Sequence, residues 1–274
     1  EAPRLTLPDF LDKAARDGFD AAEVYLPGRQ EPPAEIRRLC AAAGLKLVLQ
    51  IATEGRTAGE HLRSLEALYA RAAEAEPLLV NCQTGRDHFP FEDSVRVFER
   101  AEALREARGV PLVHETHRGR ALFTAPRAAA FLAAVPGLRL TADLSHWFCV
   151  HESDLSDQPA AVAAAVAASD HVHARVGFAE GPQVGDPRGE AFAPWLALHL
   201  GLWRRIVAAR AREGRPFLTV TPEFGPAPYM PVRPLENEPV ADAWEVNVWM
   251  RDRLALEFGR EVGGCSGPPS SSCA

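Results

Sequence analysis

The chain has 274 residues, a net charge of −7 and a pI near 5.8. Its hydrophobic content of 47% with 24% charged residues excludes an intrinsically disordered chain, and its length fits one α/β barrel of about 250 residues. The acidic balance disfavours a nucleic-acid partner, and no apolar run approaches the roughly 20 residues of a membrane span, so we expect neither nucleic acid nor membrane as a partner.

The cysteines indicate a reducing compartment. Five of them are scattered along the chain without CxxC spacing, which argues against a zinc ribbon and against a disulfide framework: Cys40, Cys82, Cys149, Cys265 and Cys273. We therefore expect a cytoplasmic protein.

Helical stretches rich in Ala, Leu, Arg and Glu alternate with short β-rich runs. The pattern predicts helices over 7–17, 32–43, 57–75, 91–107, 125–134, 158–168, 191–213 and 239–258. It predicts strands over 21–26, 46–52, 78–83, 111–115, 139–144, 171–176 and 217–223. Thr6 is placed to cap the first helix and Gly18 to end it. Alternation of this kind predicts parallel strands joined by helices.

Seven such strands are one short of a closed (β/α)8 barrel, the TIM-barrel fold. The eighth would precede the helix at 7–17, so we predict an α/β TIM barrel whose first strand is missing or not evident. The domain is expected to cover residues 1–262, with a disordered Gly/Ser/Pro-rich tail over 263–274. An open doubly wound sheet is the alternative, although no Gly-rich phosphate loop follows the early strands to favour it.

Acids and histidines end four successive predicted strands. The carboxyl ends of parallel strands meet at one edge, so Glu115, Asp143, a histidine near 173 and Glu223 should converge there. Three carboxylates in a partly dry pocket repel each other, and a divalent cation removes that conflict. Carboxylate and imidazole ligands suit Mn²⁺, Co²⁺, Zn²⁺ or Fe²⁺.

Two histidines compete for the imidazole position. His171 and His173 share one face of their strand, so spacing alone does not choose between them. His173 lies nearer the carboxyl end and is the better ligand. His171 then lies deeper and either packs in the core or supports the ligands.

The order of Glu115, Asp143-x-x-His146, His171-x-His173 and Glu223 resembles the xylose-isomerase-like TIM barrels, the sugar phosphate isomerase/epimerase superfamily. The resemblance implies one divalent metal ion, Mg²⁺ being a further candidate, bound by Glu115, Asp143, His173 and Glu223. It also implies that Glu115 and Glu223 form the catalytic acid/base pair and that His146 touches the substrate. The expected reaction is isomerisation or epimerisation of a sugar, sugar phosphate or related polyol or keto acid, by proton transfer through a metal-stabilised enediolate.

Further residues near the strand ends are candidate contacts to a small carbohydrate substrate. We predict substrate contacts by His146, His117, Arg175, Trp147, Gln50 and Asn81. A neighbouring acid or a structural salt bridge is the alternative for Arg175, and a core position is the alternative for Trp147. The proline-rich stretch 222–234 is expected to form the rim of the pocket, with a plain stiffened loop as its alternative. A second copy of the chain, forming a homodimer, is a further candidate partner.

Three other functions compete with the isomerase. A dehydratase of the inosose or dehydroshikimate type would use the same metal and bases but expel water. A non-catalytic sugar-binding barrel would lack the metal. An endonuclease IV-type nuclease needs histidines at earlier strand ends, where this sequence has Gln50-Ile51-Ala52 and Asn81-Cys82-Gln83, and the acidic charge also disfavours it.

Overall fold

The computed structural model describes residues 5–259, so the predicted tail lies outside the described residues. The α-helices are α1 (Leu7–Arg16), α2 (Pro33–Ala42), α3 (Ala58–Ala73), α4 (Phe91–Arg108), α5 (Ala125–Ala134), α6 (Ser145–His151), α7 (Pro159–Ala168), α8 (Ala193–Arg212) and α9 (Ala243–Phe258). The strands are β1 (Ala21–Tyr25), β2 (Lys46–Ala52), β3 (Val80–Gln83), β4 (Leu112–Glu115), β5 (Leu140–Ala142), β6 (Ser169–His173), β7 (Thr219–Thr221), β8 (Val232–Arg233) and β9 (Glu238–Pro239).

The first seven strands form one parallel sheet in chain order, curved into a nearly closed barrel with the helices outside. This confirms the predicted α/β TIM barrel. Within residues 5–259 no strand joins β7 to β1, so the barrel has a seam between these two strands. The residues of β7 are all half-buried there, and Phe217, just before it, is 49% exposed.

Helix boundaries follow local capping chemistry. Thr6 Oγ1 accepts the Asp9 backbone N–H at the start of α1, as the sequence predicts. Thr57 and Glu60 form a reciprocal capping box at the start of α3. Gly109 ends α4 with a left-handed backbone conformation (φ +71°) that glycine adopts at little cost. These signals explain why the helix boundaries lie close to the predicted ones.

The apolar core lies between the sheet and the surrounding helices. Trp147, predicted as a substrate contact, belongs to this core: its side chain is fully buried, and its Nε1 donates to the Leu122 carbonyl at 2.9 Å. That placement corrects the substrate assignment and favours the alternative. The bulky ring stabilises the fold by apolar burial, while its polar N–H has a backbone partner.

Three elements were not predicted. The short helix α6 begins after two residues that follow β5, and β8 and β9 form a small antiparallel pair beyond β7. Their few residues carry little periodicity, which is why sequence patterns do not detect them. None of the helices in residues 5–259 combines the length and the apolar character needed to span a membrane.

Candidate metal centre

Four side chains meet at the carboxyl end of the barrel. Glu115 ends β4, Asp143 directly follows β5, His173 ends β6, and Glu223 lies two residues beyond β7. Candidate ligand atoms of all four lie within 4.8 Å of one another. Three of these residues are buried and Glu223 is half-buried. The structure thus brings together the four residues that the sequence assigned to one site.

Two atoms of this cluster lack a hydrogen bond. His173 Nδ1 and Glu223 Oε2 are buried and 2.8 Å apart, yet neither bonds with acceptable geometry to any residue in 5–259. Nδ1 also lies 3.9 Å from Glu115 Oε1 and 4.0 Å from Asp143 Oδ2. A cation with metal–ligand distances of about 2.0–2.3 Å holds its ligand atoms roughly 3–4.5 Å apart. The cluster therefore fits a divalent ion bound by three carboxylates and one imidazole.

Amides from two neighbouring strands hold the Glu115 carboxylate. Gln50 Nε2 donates to Oε2 at 3.2 Å, and Gln83 Nε2 lies 3.2 and 3.3 Å from the two oxygens. Asn81 Nδ2 donates at 3.1 Å, while its own oxygen accepts from the Thr141 hydroxyl at 2.7 Å. Gln50 and Asn81 therefore contact a catalytic candidate, and their contacts to substrate stay a prediction.

Arg175 pairs with acids of the cluster, the alternative that the sequence left open. Its Nη2 donates to Asp143 Oδ2 and lies 3.5 Å from Glu223 Oε2. Its Nε donates to Ser145 Oγ at 3.3 Å, and Nη2 lies 2.8 Å from His146 Nε2. The guanidinium is almost fully buried. A fixed positive charge therefore lies beside the carboxylates and offsets part of their repulsion.

His117 and His146 line one side of the cluster together with Tyr229. The two imidazole rings lie 3.9 Å apart between centroids, and Tyr229 Oη lies 3.5 Å from His117 Nε2. The Arg175 guanidinium lies 4.5 Å from the centre of the Tyr229 ring. His146 Nδ1 is buried without a hydrogen-bond partner in residues 5–259. This polar wall has donor and acceptor capacity that is not satisfied within the described chain.

Burial and charge shift the acids of the cluster in opposite directions. Burial raises the pKa of Asp143 to about 7, although Arg175 opposes the rise. Burial also raises the pKa of Glu223, but His173 and Arg175 outweigh it and lower that pKa to about 2. Burial lowers the pKa of His173, yet the carboxylates around it, led by Glu223, hold that pKa well above its usual value. The cluster has more acids than cations, which is the imbalance that a bound metal ion relieves.

Glu23 is the contact that sequence reasoning missed. It projects from β1 into the barrel, where its carboxylate lies 3.1 Å from His173 Nε2 and 3.2 Å from His171 Nε2. The signal was a charged residue flanked by Ala22 and Val24, which alternation places on the opposite, apolar face of the strand. His171 stands two residues before the carboxyl end of β6, and its side chain is buried like that of His173.

A family model described as xylose isomerase-like TIM barrel matches residues 11–185. The chain belongs to this family. No curated protein sequence matches this xylose isomerase-like chain.

Solved structures similar to this xylose isomerase-like barrel span different activities. D-allulose 3-epimerase from Methylomonas sp. is 14% identical over 92% of this chain and 91% of that chain, with a TM-score of 0.63. The probable 3-DHS dehydratase from Bacillus anthracis is 13% identical over 93% and 95%, also with a TM-score of 0.63. Endonuclease IV from Thermus thermophilus is 19% identical over 93% and 96%, with a TM-score of 0.56. At these identities the similarity establishes the fold alone.

Proposed function

We propose that the protein is a divalent-metal-dependent isomerase or epimerase of a small carbohydrate. The observation that carries the proposal is the convergence of Glu115, Asp143, His173 and Glu223. Within residues 5–259, His173 Nδ1 and Glu223 Oε2 are buried and adjacent, and neither has a hydrogen-bond partner. A metal ion bound by these residues would hold the carbonyl and adjacent hydroxyl oxygens of a substrate and stabilise the negative charge that develops on them.

We assign the proton transfer to the two glutamates. Their candidate ligand atoms lie within 4.8 Å of each other beyond β4 and β7, so a substrate bound at the cluster would face both carboxylates. One glutamate removes the carbon-bound proton and the other returns a proton to the same or a neighbouring carbon. The amides on Glu115 orient its carboxylate, while Glu223 is the more accessible of the two acids.

The polar wall supports a hydroxylated substrate. His117 and His146 offer ring nitrogens to sugar hydroxyls, and His146 Nδ1, which has no partner among residues 5–259, is the buried atom that most needs one. Arg175 pairs with both Asp143 and Glu223, and its positive charge offsets the repulsion between the two carboxylates. Its guanidinium lies beside the Tyr229 ring. Solved structures named as a D-allulose 3-epimerase and a probable 3-DHS dehydratase share this fold.

The test is a screen of ketoses, sugar phosphates and inososes with Mn²⁺, followed by NMR in D₂O. Deuterium entering the recovered or isomerised sugar supports the proposal. An ultraviolet absorbance rise from an enone, with loss of water, would assign the dehydratase instead. Metal analysis that finds no bound ion after incubation with Mn²⁺ would favour a non-catalytic sugar-binding barrel.

Glu223→Gln and a matched control sharpen the screen. Replacing the base should lower turnover by about 10²–10⁴-fold, the usual contribution of a positioned general base. Glu236→Gln makes the same change at an exposed residue between β8 and β9 and should leave turnover unchanged. Full activity in a folded Glu223→Gln protein would refute the acid/base assignment.

A further inference from the structure

A buried carboxylate lies behind the candidate metal ligands, on the opposite side of His173. Glu23 belongs to β1, one of the two strands at the seam, whereas His171 and His173 belong to β6. Both oxygens of Glu23 lie 3.1 Å from His173 Nε2. Its Oε2 also lies 3.2 Å from His171 Nε2. One carboxylate therefore contacts two imidazoles inside the barrel.

The surroundings fix which ring nitrogen of His173 carries a proton. Nε2 faces two carboxylate oxygens, which only accept hydrogen bonds, so Nε2 must donate. Asn81 Nδ2 also approaches Nε2 at 3.3 Å, but its two hydrogens point to the carboxylates of Glu23 and Glu115 at 3.2 and 3.1 Å. The amide therefore does not compete for the position of this proton.

The opposite ring nitrogen then faces the carboxylate cluster. With Nε2–H bonded to Glu23, a neutral His173 presents the lone pair of Nδ1 toward Glu223, 2.8 Å away. Histidines that bind metals commonly donate their other N–H to a carboxylate, which fixes the tautomer and the ring orientation and increases the basicity of the ligand nitrogen. Glu23, His173 and the cluster have the same sequence of contacts: a carboxylate, the imidazole that donates to it, and the candidate metal position on the other side of the ring.

We propose that Glu23 is a positioning residue that accepts the Nε2–H of His173 and so directs Nδ1 to the metal ion. This inference rests on the metal site of the proposed function. Glu23 also contacts His171. The Nε2 atom of His171 lies 3.2 Å from Glu23 Oε2, and its Nδ1 lies 2.7 Å from the Thr219 hydroxyl on β7. Glu23 thereby also links both strands of the seam through the barrel interior.

The first experiment measures Mn²⁺ binding by calorimetry, independently of turnover. Glu23→Gln keeps the shape but removes the negative charge and one of the two acceptor oxygens, so His173 loses the charge-assisted bond that increases the basicity of Nδ1. We expect its Mn²⁺ affinity to fall by about 10–100-fold, the usual effect of losing such a partner. An affinity within about twofold of the unchanged protein would overturn the inference.

The matched control separates positioning from a merely structural link. Thr219→Val removes the hydroxyl bonded to His171 while leaving every contact of His173 in place. It should lower the melting temperature slightly and leave Mn²⁺ affinity within about twofold. Equal losses of affinity in Thr219→Val and Glu23→Gln would assign Glu23 to seam stability only and overturn the proposal.

A second measurement does not depend on a variant that folds. Histidine ¹⁵N–¹H correlation NMR of the full chain with Zn²⁺ should show His173 with a proton on Nε2 and the metal on Nδ1. A metal on Nε2 would overturn the inference even if Glu23→Gln is unfolded. A calorimetric titration would also overturn the inference if it found two Mn²⁺ sites per chain and one of them were lost in Glu23→Gln. Glu23, His171 and His173 would then bind an ion themselves.

The two proposals fail in different ways. If the unchanged protein binds neither Mn²⁺ nor Zn²⁺, the metal site of the proposed function is wrong. If it binds Mn²⁺ and Glu23→Gln binds it equally well, the metal site stands and only the role of Glu23 is wrong.

Discussion

His114 and His173 are both buried near strand ends, yet they lie in opposite electrostatic surroundings. His114 faces the helical layer, where its ring meets the edge of Phe98 and its Nδ1 lies 2.6 Å from the Thr84 hydroxyl. Burial alone lowers the pKa of His114 to about 3. His173 faces the barrel interior among carboxylates, which reverse the effect of burial and raise its pKa.

The outer face of the barrel sheet, which packs against the helices, and its inner face, which lines the barrel interior, are both buried at these positions. The two faces differ in charge. The outer face is apolar, so an imidazole there is neutral. The inner face at the carboxyl end concentrates acids around Arg175 and His173. Charged groups occupy this interior because each has an oppositely charged neighbour, which offsets the cost of removing it from water.

The largest expected effect comes from removing the buried cation of the inner face. Arg175→Met should leave Asp143 buried without its ion-pair partner and lower the free energy of unfolding by about 3–5 kcal/mol in metal-free protein. Urea denaturation measures this loss. The exposed Arg188→Met, which removes a surface pair with Asp186, is the control and should cost less than about 1 kcal/mol. Similar losses in both variants would refute the charge contrast between interior and surface.

The buried His114 on the outer face should make the folded protein less stable in acid. The unfolded chain protonates His114 near pH 6.5, whereas the folded protein does so only near its pKa of about 3. The unfolded state therefore binds more protons in this window, and stability falls as the pH falls from about 6.5 to 3. At pH 4 this residue should account for a loss of about 3 kcal/mol relative to pH 7.

The His114→Gln variant tests that assignment. We expect the difference between its free energies of unfolding at pH 7 and pH 4, both measured with urea, to be about 3 kcal/mol smaller than in the unchanged protein. His88→Gln, which removes an exposed imidazole, is the matched control variant. An unaltered pH dependence in His114→Gln would contradict a neutral imidazole on the outer face.

The smallest expected effect concerns the amides on Glu115. Gln50→Met removes one of three amide groups that bond this carboxylate. Because Asn81 and Gln83 remain, we expect a loss of about 0.5–1.5 kcal/mol in the free energy of unfolding and a few-fold weaker Mn²⁺ binding. Chemical denaturation and calorimetry measure both, and a complete loss of Mn²⁺ binding would show that Gln50 itself is a ligand.

Sequence reasoning predicted the repeating strands and the convergence of Glu115, Asp143, His173 and Glu223, because chain order and strand direction determine which ends meet. Their role as metal ligands stays a prediction. The reasoning failed where a decision depended on side-chain direction. Trp147 follows His146 on the same short helix, yet only the structure shows that its ring turns into the core.

Glu23 illustrates the other limit. Its strand could be predicted, but its contact with β6 depends on the closure of the barrel, which brings residues 150 positions apart together. No local pattern encodes that pairing. The position of the seam, by contrast, could be predicted, because a missing strand before the helix at 7–17 leaves the gap between β7 and β1.

The two oxygens of Asp143 have separate tasks. Oδ1 accepts the backbone N–H and the hydroxyl of Ser145 at the start of α6, so the helix fixes this oxygen. Oδ2 lies 4.0 Å from His173 Nδ1 and accepts a hydrogen bond from Arg175 Nη2. Asp143 would therefore bind an ion through a single oxygen. Calcium takes six to eight oxygen ligands, and a carboxylate limited to one oxygen supplies fewer of them than one free to bind through both. The first turn of this seven-residue helix would therefore favour a smaller ion over calcium at a site built from these residues.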